Sequence, residues 1–215
     1  MPPAARVADM TSHGPPLTPG PGSTTVMIGF MPAWRALPAG VGDGLEGASD
    51  KMDQLMKKPV LTPADATPTL VQIQADATQS AAKAASEGNP SAPGATTGAY
   101  ATLTATNTAL TATWSTASAV PGGQPAANTA YTQAIKAAAA AAASAAFSAV
   151  AGMADMHVCP IPVPIPPHGP GVVTKASGTV FIDNLPAARQ DDKVVEACGG
   201  SDPIALGCQT VEIGD

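Results

Sequence analysis

The chain has 215 residues and a net charge of −6; charged residues make up 12% of it and aromatic residues 3%. The acidic balance, with no basic run, argues against nucleic acid as a partner, because phosphates demand a basic face. So few aromatic residues rule out a large core of Phe, Tyr and Trp, and the 23 prolines and 21 glycines gather at the two ends, the pattern of short strands joined by rigid turns.

The first element is a phrase, Pro3-Ala4-Ala5-Arg6-Val7-Ala8-Asp9-Met10, followed by Thr11-Ser12-His13-Gly14. A short β-rich segment, Thr24-Thr25-Val26-Met27-Ile28-Gly29, comes next, then an altered copy of the opening, Pro32-Ala33-Trp34-Arg35. Trp34 disturbs that copy, and it is a candidate anchor for the segment after it.

From residue 40 to 152 the composition turns to alanine and threonine. A short helix is expected around 44–57. Thr62-Pro63-Ala64-Asp65 reads as an N-cap followed by proline at the first helical position. Leu70, Ile73, Ala77, Ala81 and Ala84 then fall on one helical face, and Gly88-Asn89-Pro90 ends that helix. Two more helices are expected, near 94–118 and 125–152, separated by Pro121-Gly122-Gly123. No charged residue lies between Glu87 and Lys136, which suggests close packing of small side chains or a surface facing a partner. The alanine run from 134 to 150 is weakly apolar and shorter than the roughly 20 residues a bilayer span needs, so a soluble helix is expected.

The phrase returns as Met153-Ala154-Asp155-Met156-His157 and as Pro186-Ala187-Ala188-Arg189-Gln190-Asp191-Asp192. β-rich segments stand at Gly178-Thr179-Val180-Phe181-Ile182-Asp183-Asn184 and Gln209-Thr210-Val211-Glu212-Ile213-Gly214. Units this small cannot bury a core singly, so the copies are expected to fold together. The run from Cys159 to His168, alternating proline with branched residues, resembles a polyproline ligand but is read as a stiff extended edge.

All three histidines, His13, His157 and His168, stand inside the repeated regions. A lone surface histidine is usually incidental; three in related positions with cysteines nearby point to a metal. The three cysteines, Cys159, Cys198 and Cys208, are an odd number, so a disulfide framework would leave one over. Cys159 lies two residues after His157 and can chelate from the same strand, whereas Cys208 reads as a buried strand position.

These motifs resemble the PAAR-repeat family, across residues 1–36 and 153–215. The resemblance implies a mainly β cone of three pseudo-repeats, discontinuous over 1–36 and 153–215, with an α-helical insertion of about three helices at 40–152, between the first and second repeats. It implies one structural zinc near the apex, held by His13, His157, His168 and Cys198, with Cys159 as the rival thiolate; zinc accepts imidazole and thiolate in a closed tetrahedral site. It further implies a monomer seated on a trimeric VgrG-like spike of a contractile injection system and delivered on the particle; with no charged N-terminal region ahead of an apolar core, synthesis in the cytoplasm without a signal peptide is expected. An insertion after the first repeat is expected to project sideways, and to meet an effector or a baseplate protein if it has a partner. The alternative is a tip-borne effector or effector-adaptor in which the insertion is cargo or docking element.

No phosphate loop, His-Glu-x-x-His helix or nucleophile elbow occurs, and an enzyme is not expected. A Cys159–His168 nucleophilic pair is conceivable, but the metal wants the same histidine.

Overall fold

The two ends of the sequence meet by strand pairing in the computed structural model, which describes residues 1–162 and 167–214. Four short strands come first: β1 (Pro3–Ala4), β2 (Pro19–Gly20), β3 (Met27–Ile28) and β4 (Met31–Pro32). Four helices come next, α1 (Val41–Lys57), α2 (Pro63–Ser86), α3 (Ala92–Ser118) and α4 (Gln124–Ala149). The remainder is β: β5 (Met156–Pro162), β6 (Pro167–Val173), β7 (Phe181–Ile182), β8 (Leu185–Pro186), β9 (Lys193–Glu196), β10 (Ser201–Pro203) and β11 (Cys208–Glu212). The centre of the proline run, 163–166, lies outside the described residues, and with it the expectation of a stiff edge there.

The Pro-Ala-x-Arg phrases form a ring of backbone hydrogen bonds. The Trp34 amide donates to the Ala5 carbonyl at 2.9 Å, the Ala5 amide to Ala188 at 2.9 Å, and the Ala188 amide to Trp34 at 3.0 Å. Successive side chains of an extended segment point to opposite faces, so this ring separates two small cores. On one side Ala4, Ala33 and Ala187 pack with Ile28, Ile182 and Ile213. On the other, Ala5, Trp34 and Ala188 pack with Leu17, Val173 and Ile204. Alanine suits positions where three chains converge; at the one place where a larger space opens, Trp34 fills it and is fully buried. Trp34 therefore belongs to the β core rather than anchoring the helices.

Each phrase belongs to a two-stranded antiparallel β pair. In the β3–β4 pair Met27 faces Pro32, in β7–β8 Phe181 faces Pro186, and in the pair made by the two chain ends Glu212 faces Pro3. The first two have two-residue turns, Gly29-Phe30 and Asp183-Asn184, in which both residues have positive φ, as in type I′ hairpins. Ser23 Oγ accepts from the amides of Thr25 and Val26, and Ser177 Oγ does the same for Thr179 and Val180.

The arginine ending each phrase clamps an aspartate. Arg6 binds Asp9 through its backbone N, Nε and one Nη, and Arg189 holds Asp192 through the same three donors. In both, the aspartate amide closes the turn onto the arginine carbonyl, and Ala8 and Asp191 take the same left-handed conformation, with φ of 68° and 70°. Arg35 makes the identical set of bonds to Asp155, 120 positions away, and the Asp155 amide reaches the Arg35 carbonyl at 3.0 Å. All four helices thus replace the two residues between arginine and aspartate of the middle clamp. This corrects the expectation that the insertion follows the first repeat as a whole: Pro32-Ala33-Trp34-Arg35 and Met153-Ala154-Asp155 are two halves of one motif.

Among the described residues the helices number four, against the expected three or so, because α1 forms a full 17-residue helix. Its glycines let it lie against its neighbours: a Cβ on Gly44 would stand 2.8 Å from the Ser80 nitrogen and collide with the Asp76 carbonyl on α2. α2 starts at a capping box formed by Thr62 and Asp65, with Pro63 at its first turn. The lone charge of the alanine run, Lys136, donates to the carbonyls of Met56 and Lys58 at 2.8 and 2.6 Å, tying α4 to the end of α1. Among the described residues no helix is long and apolar enough to cross a membrane.

The bundle does not project freely. Its core is continuous with Val172, Val195, Ala197 and Cys198, on one face of the sheet ordered β10-β9-β6-β5-β2, and Ser49 Oγ donates to the Glu196 carbonyl at 2.7 Å. Close approach of α1 to α2 predicts that Gly44→Ala destabilises by about 1–3 kcal/mol through overpacking, outweighing the roughly 1 kcal/mol that helix propensity alone would add. Gly98→Ala on α3, with open space at the Cβ position, should instead stabilise by up to about 1 kcal/mol. Urea denaturation of both variants measures the contrast.

Candidate metal centre

Beyond the ring, each clamp releases an arm, and the arms bring the chemistry together. The first carries His13; the second is the β5–β6 hairpin with His157, Cys159 and His168; the third is the β9–β10 hairpin with Glu196 and Asp202. Residues two apart on a strand share a face, which puts His157 and Cys159 side by side while the intervening Val158 points to solvent. On β9 the same alternation sends Val195 and Ala197 into the helix-side core and Glu196 the other way.

Two groups of potential donor atoms form there: His13, Cys159, His168 and Glu196, and His157, Cys159, Glu196 and Asp202. Within each, the donor atoms lie within 4.8 Å of one another. His13 Nδ1 is 3.9 Å from Cys159 Sγ, 3.6 Å from Glu196 Oε1 and 3.5 Å from Asp202 Oδ2. His157 Nε2 is 4.0 Å from Asp202 Oδ2, and His168 Nδ1 lies against Glu196 Oε2. The rings of His13 and His168 meet edge to face at 5.0 Å. Asp202 also fixes the first arm, its Oδ1 accepting from the Ser12 hydroxyl and the His13 amide, both at 2.8 Å.

The side chains of His157, Glu196 and Asp202 have no solvent exposure. Among the described residues, both ring nitrogens of His157, His168 Nδ1, both oxygens of Glu196 and Asp202 Oδ2 lack a well-formed hydrogen bond. Buried polar atoms are almost always paired, and leaving one unpaired costs about 1–3 kcal/mol. Six such atoms gathered in one cluster fit a cation. Burial raises the Glu196 carboxyl to about 7 and holds His157 and His168 below the usual imidazole range. The neutral imidazole so favoured is the form that offers a lone pair to a metal.

The three histidines singled out in the sequence therefore fall in two neighbouring groups, His13 and His168 in one and His157 in the other, and the thiol common to both is Cys159. Cys198 stands in neither group. It is buried in the helix-side core, hydrogen-bonded to Ser144 of α4, and burial raises its thiol to about 11; α4 lies against it, which the repeat spacing could not reveal. Cys208 lies in the core on the far side of the ring. Glu196 and Asp202 escape the sequence reading. The signal for Glu196 is a charge inside the apolar run Val194-Val195-Glu196-Ala197, where an ionisable residue is rare unless paired. Asp202, behind Gly199-Gly200-Ser201, reads as an ordinary turn residue.

Residues 135–201 and 164–215 match the family model described as PAAR motif. Searches of the curated proteins and of the solved structures return no match. The C-terminal part of the chain carries the PAAR motif, and the middle Arg–Asp clamp is opened to admit the helices.

Proposed function

We propose that the chain is a mechanical tip, a cone of three pseudo-repeats that caps a trimeric VgrG-like spike of a contractile injection system, with no turnover. The observation that carries this reading is the closed ring of Ala5, Trp34 and Ala188 amides, which gives one chain three related two-stranded β pairs to set on a threefold partner. PAAR motifs are associated with VgrG spikes, and the base of β pairs is the surface that suits one.

That base is apolar where water should disfavour it. Phe30 is 97% exposed, and Met27, Phe181 and Val211 are also exposed. Phe30 holds φ of 67°, a conformation that bulky side chains rarely adopt. An exposed aromatic in a strained turn fits a contact surface covered in the assembled particle. At the opposite end His13, His157, His168 and Cys159 would hold one divalent cation, with zinc the ion that imidazole and thiolate suit. Bound there, the ion ties all the arms that carry ligands into a point, supplying cohesion that their few apolar side chains do not.

Co-purification of the full chain with a trimeric VgrG-like spike tests the assignment. Wild type should bind with one chain per trimer. Phe30→Asp combined with Phe181→Asp should weaken binding by at least about tenfold without lowering the melting temperature, since both side chains point to solvent. Undiminished binding by the double variant would move the contact elsewhere, and no binding by wild type would remove the spike assignment.

A further inference from the structure

Histidine and cysteine do not complete the candidate metal centre. Glu196 is common to both donor groups, both of its oxygens lack a well-formed hydrogen bond, and it comes from the third arm, which otherwise contributes only Asp202. We propose that Glu196 is itself a ligand of the ion, so that this chain holds its metal in a mixed imidazole, thiolate and carboxylate shell of more than four donors. The proposal rests on the reading that the site binds a cation.

The alternative role for a carboxylate here is to accept an N–H from a metal-bound imidazole and so orient it. Asp202 is built for that role: one oxygen is taken by Ser12 and the His13 amide, leaving the other facing His13 and His157. Glu196 is placed differently. Its oxygens face the same Nδ1 of His13 that faces the Cys159 sulfur, and they face His168 from the side of its Nδ1. Imidazole lone pair, sulfur and carboxylate oxygen are all electron donors. A cation between them would draw on all three, and separations of 3.6–3.9 Å suit neighbouring ligands on one ion whose bonds are about 2.0–2.3 Å. The Glu196 carbonyl, held by Ser49 of α1, fixes the strand from behind, so the insertion takes part in presenting this ligand.

Cobalt(II) bound to the full-length chain in place of the native ion tests the idea, because four-coordinate cobalt absorbs intensely in the visible and higher-coordinate cobalt weakly. Wild type should take up about one cobalt per chain, with a sulfur-to-cobalt charge-transfer band lost in Cys159→Ser and with weak visible bands. Glu196→Gln should keep the sulfur band, gain the intense four-coordinate bands and bind cobalt at least about tenfold more weakly. Intense four-coordinate bands already present in wild type would overturn the proposal, whether or not Glu196→Gln folds, while leaving a metal site intact. Wild type that takes up no cobalt would remove the metal reading itself.

Discussion

Arg35→Ala should destabilise the chain by about 3–5 kcal/mol, the cost of stripping the partner from a buried charge. Asp155 has no solvent exposure, and Arg35 reaches it with two side-chain nitrogens and a backbone amide. The same guanidinium also holds the Gly22 carbonyl at 2.9 Å and Asp183 at 3.1 Å. In Arg6→Ala and Arg189→Ala the abandoned aspartates, Asp9 and Asp192, keep 8% and 10% side-chain exposure against none at Asp155, and lie three residues away along an intact turn. Those variants should cost roughly 1–2 kcal/mol, because water can reach the freed carboxylate. Urea denaturation of the three variants gives the comparison. Equal losses at all three positions would mean that the middle clamp is no more than another turn; a larger loss at Arg35 would show that it joins the helical insertion to the β ring.

That clamp also marks where sequence reading succeeds and where it stops. The repeated phrase is legible because three tetrapeptides and three β segments recur in order, and helix boundaries follow from Thr62-Pro63, from Gly88-Asn89-Pro90 and from the break at Pro121-Gly122-Gly123. The position of the insertion is not, since Arg35 and Asp155 become one motif only when their equivalence to Arg6–Asp9 is seen in three dimensions. Trp34 misleads for a related reason: a large residue in a copy that elsewhere reads alanine looks like a defect, yet it fills the core beside Leu17 and Ile204. The histidines declare themselves by number and position. The choice of thiol does not, because Cys198 and Cys159 both satisfy the spacing, and burial of Cys198 depends on α4, a segment far from it in sequence. Glu196 needs the strand's alternation as well as its composition.

The thiol is where the two ligand sets part most sharply in energy. Cys159→Ala and His157→Ala should each abolish binding of the ion in the full-length chain and lower the melting temperature steeply. A site assembled from three arms does not exist in the unfolded chain, so the free energy of metal binding is folding free energy, on the order of 10 kcal/mol in small zinc domains. His157 makes the stronger case: its ring is fully buried and neither nitrogen makes a well-formed hydrogen bond, a cost of about 1–3 kcal/mol per group that a bound metal would relieve. Cys198→Ala removes a thiol packed among small side chains and should retain the ion, with a loss of about 1 kcal/mol for the vacated volume. Metal content by elemental analysis, measured beside thermal unfolding for the three variants, separates the cases. Loss of the ion in Cys198→Ala with retention in Cys159→Ala would overturn the three-arm arrangement and return the thiolate to the position that repeat spacing favours. The opposite pattern would fix the ion among the three arms and leave Cys198 to the seam between sheet and helices, where its neighbours Val195 and Ala197 already place it.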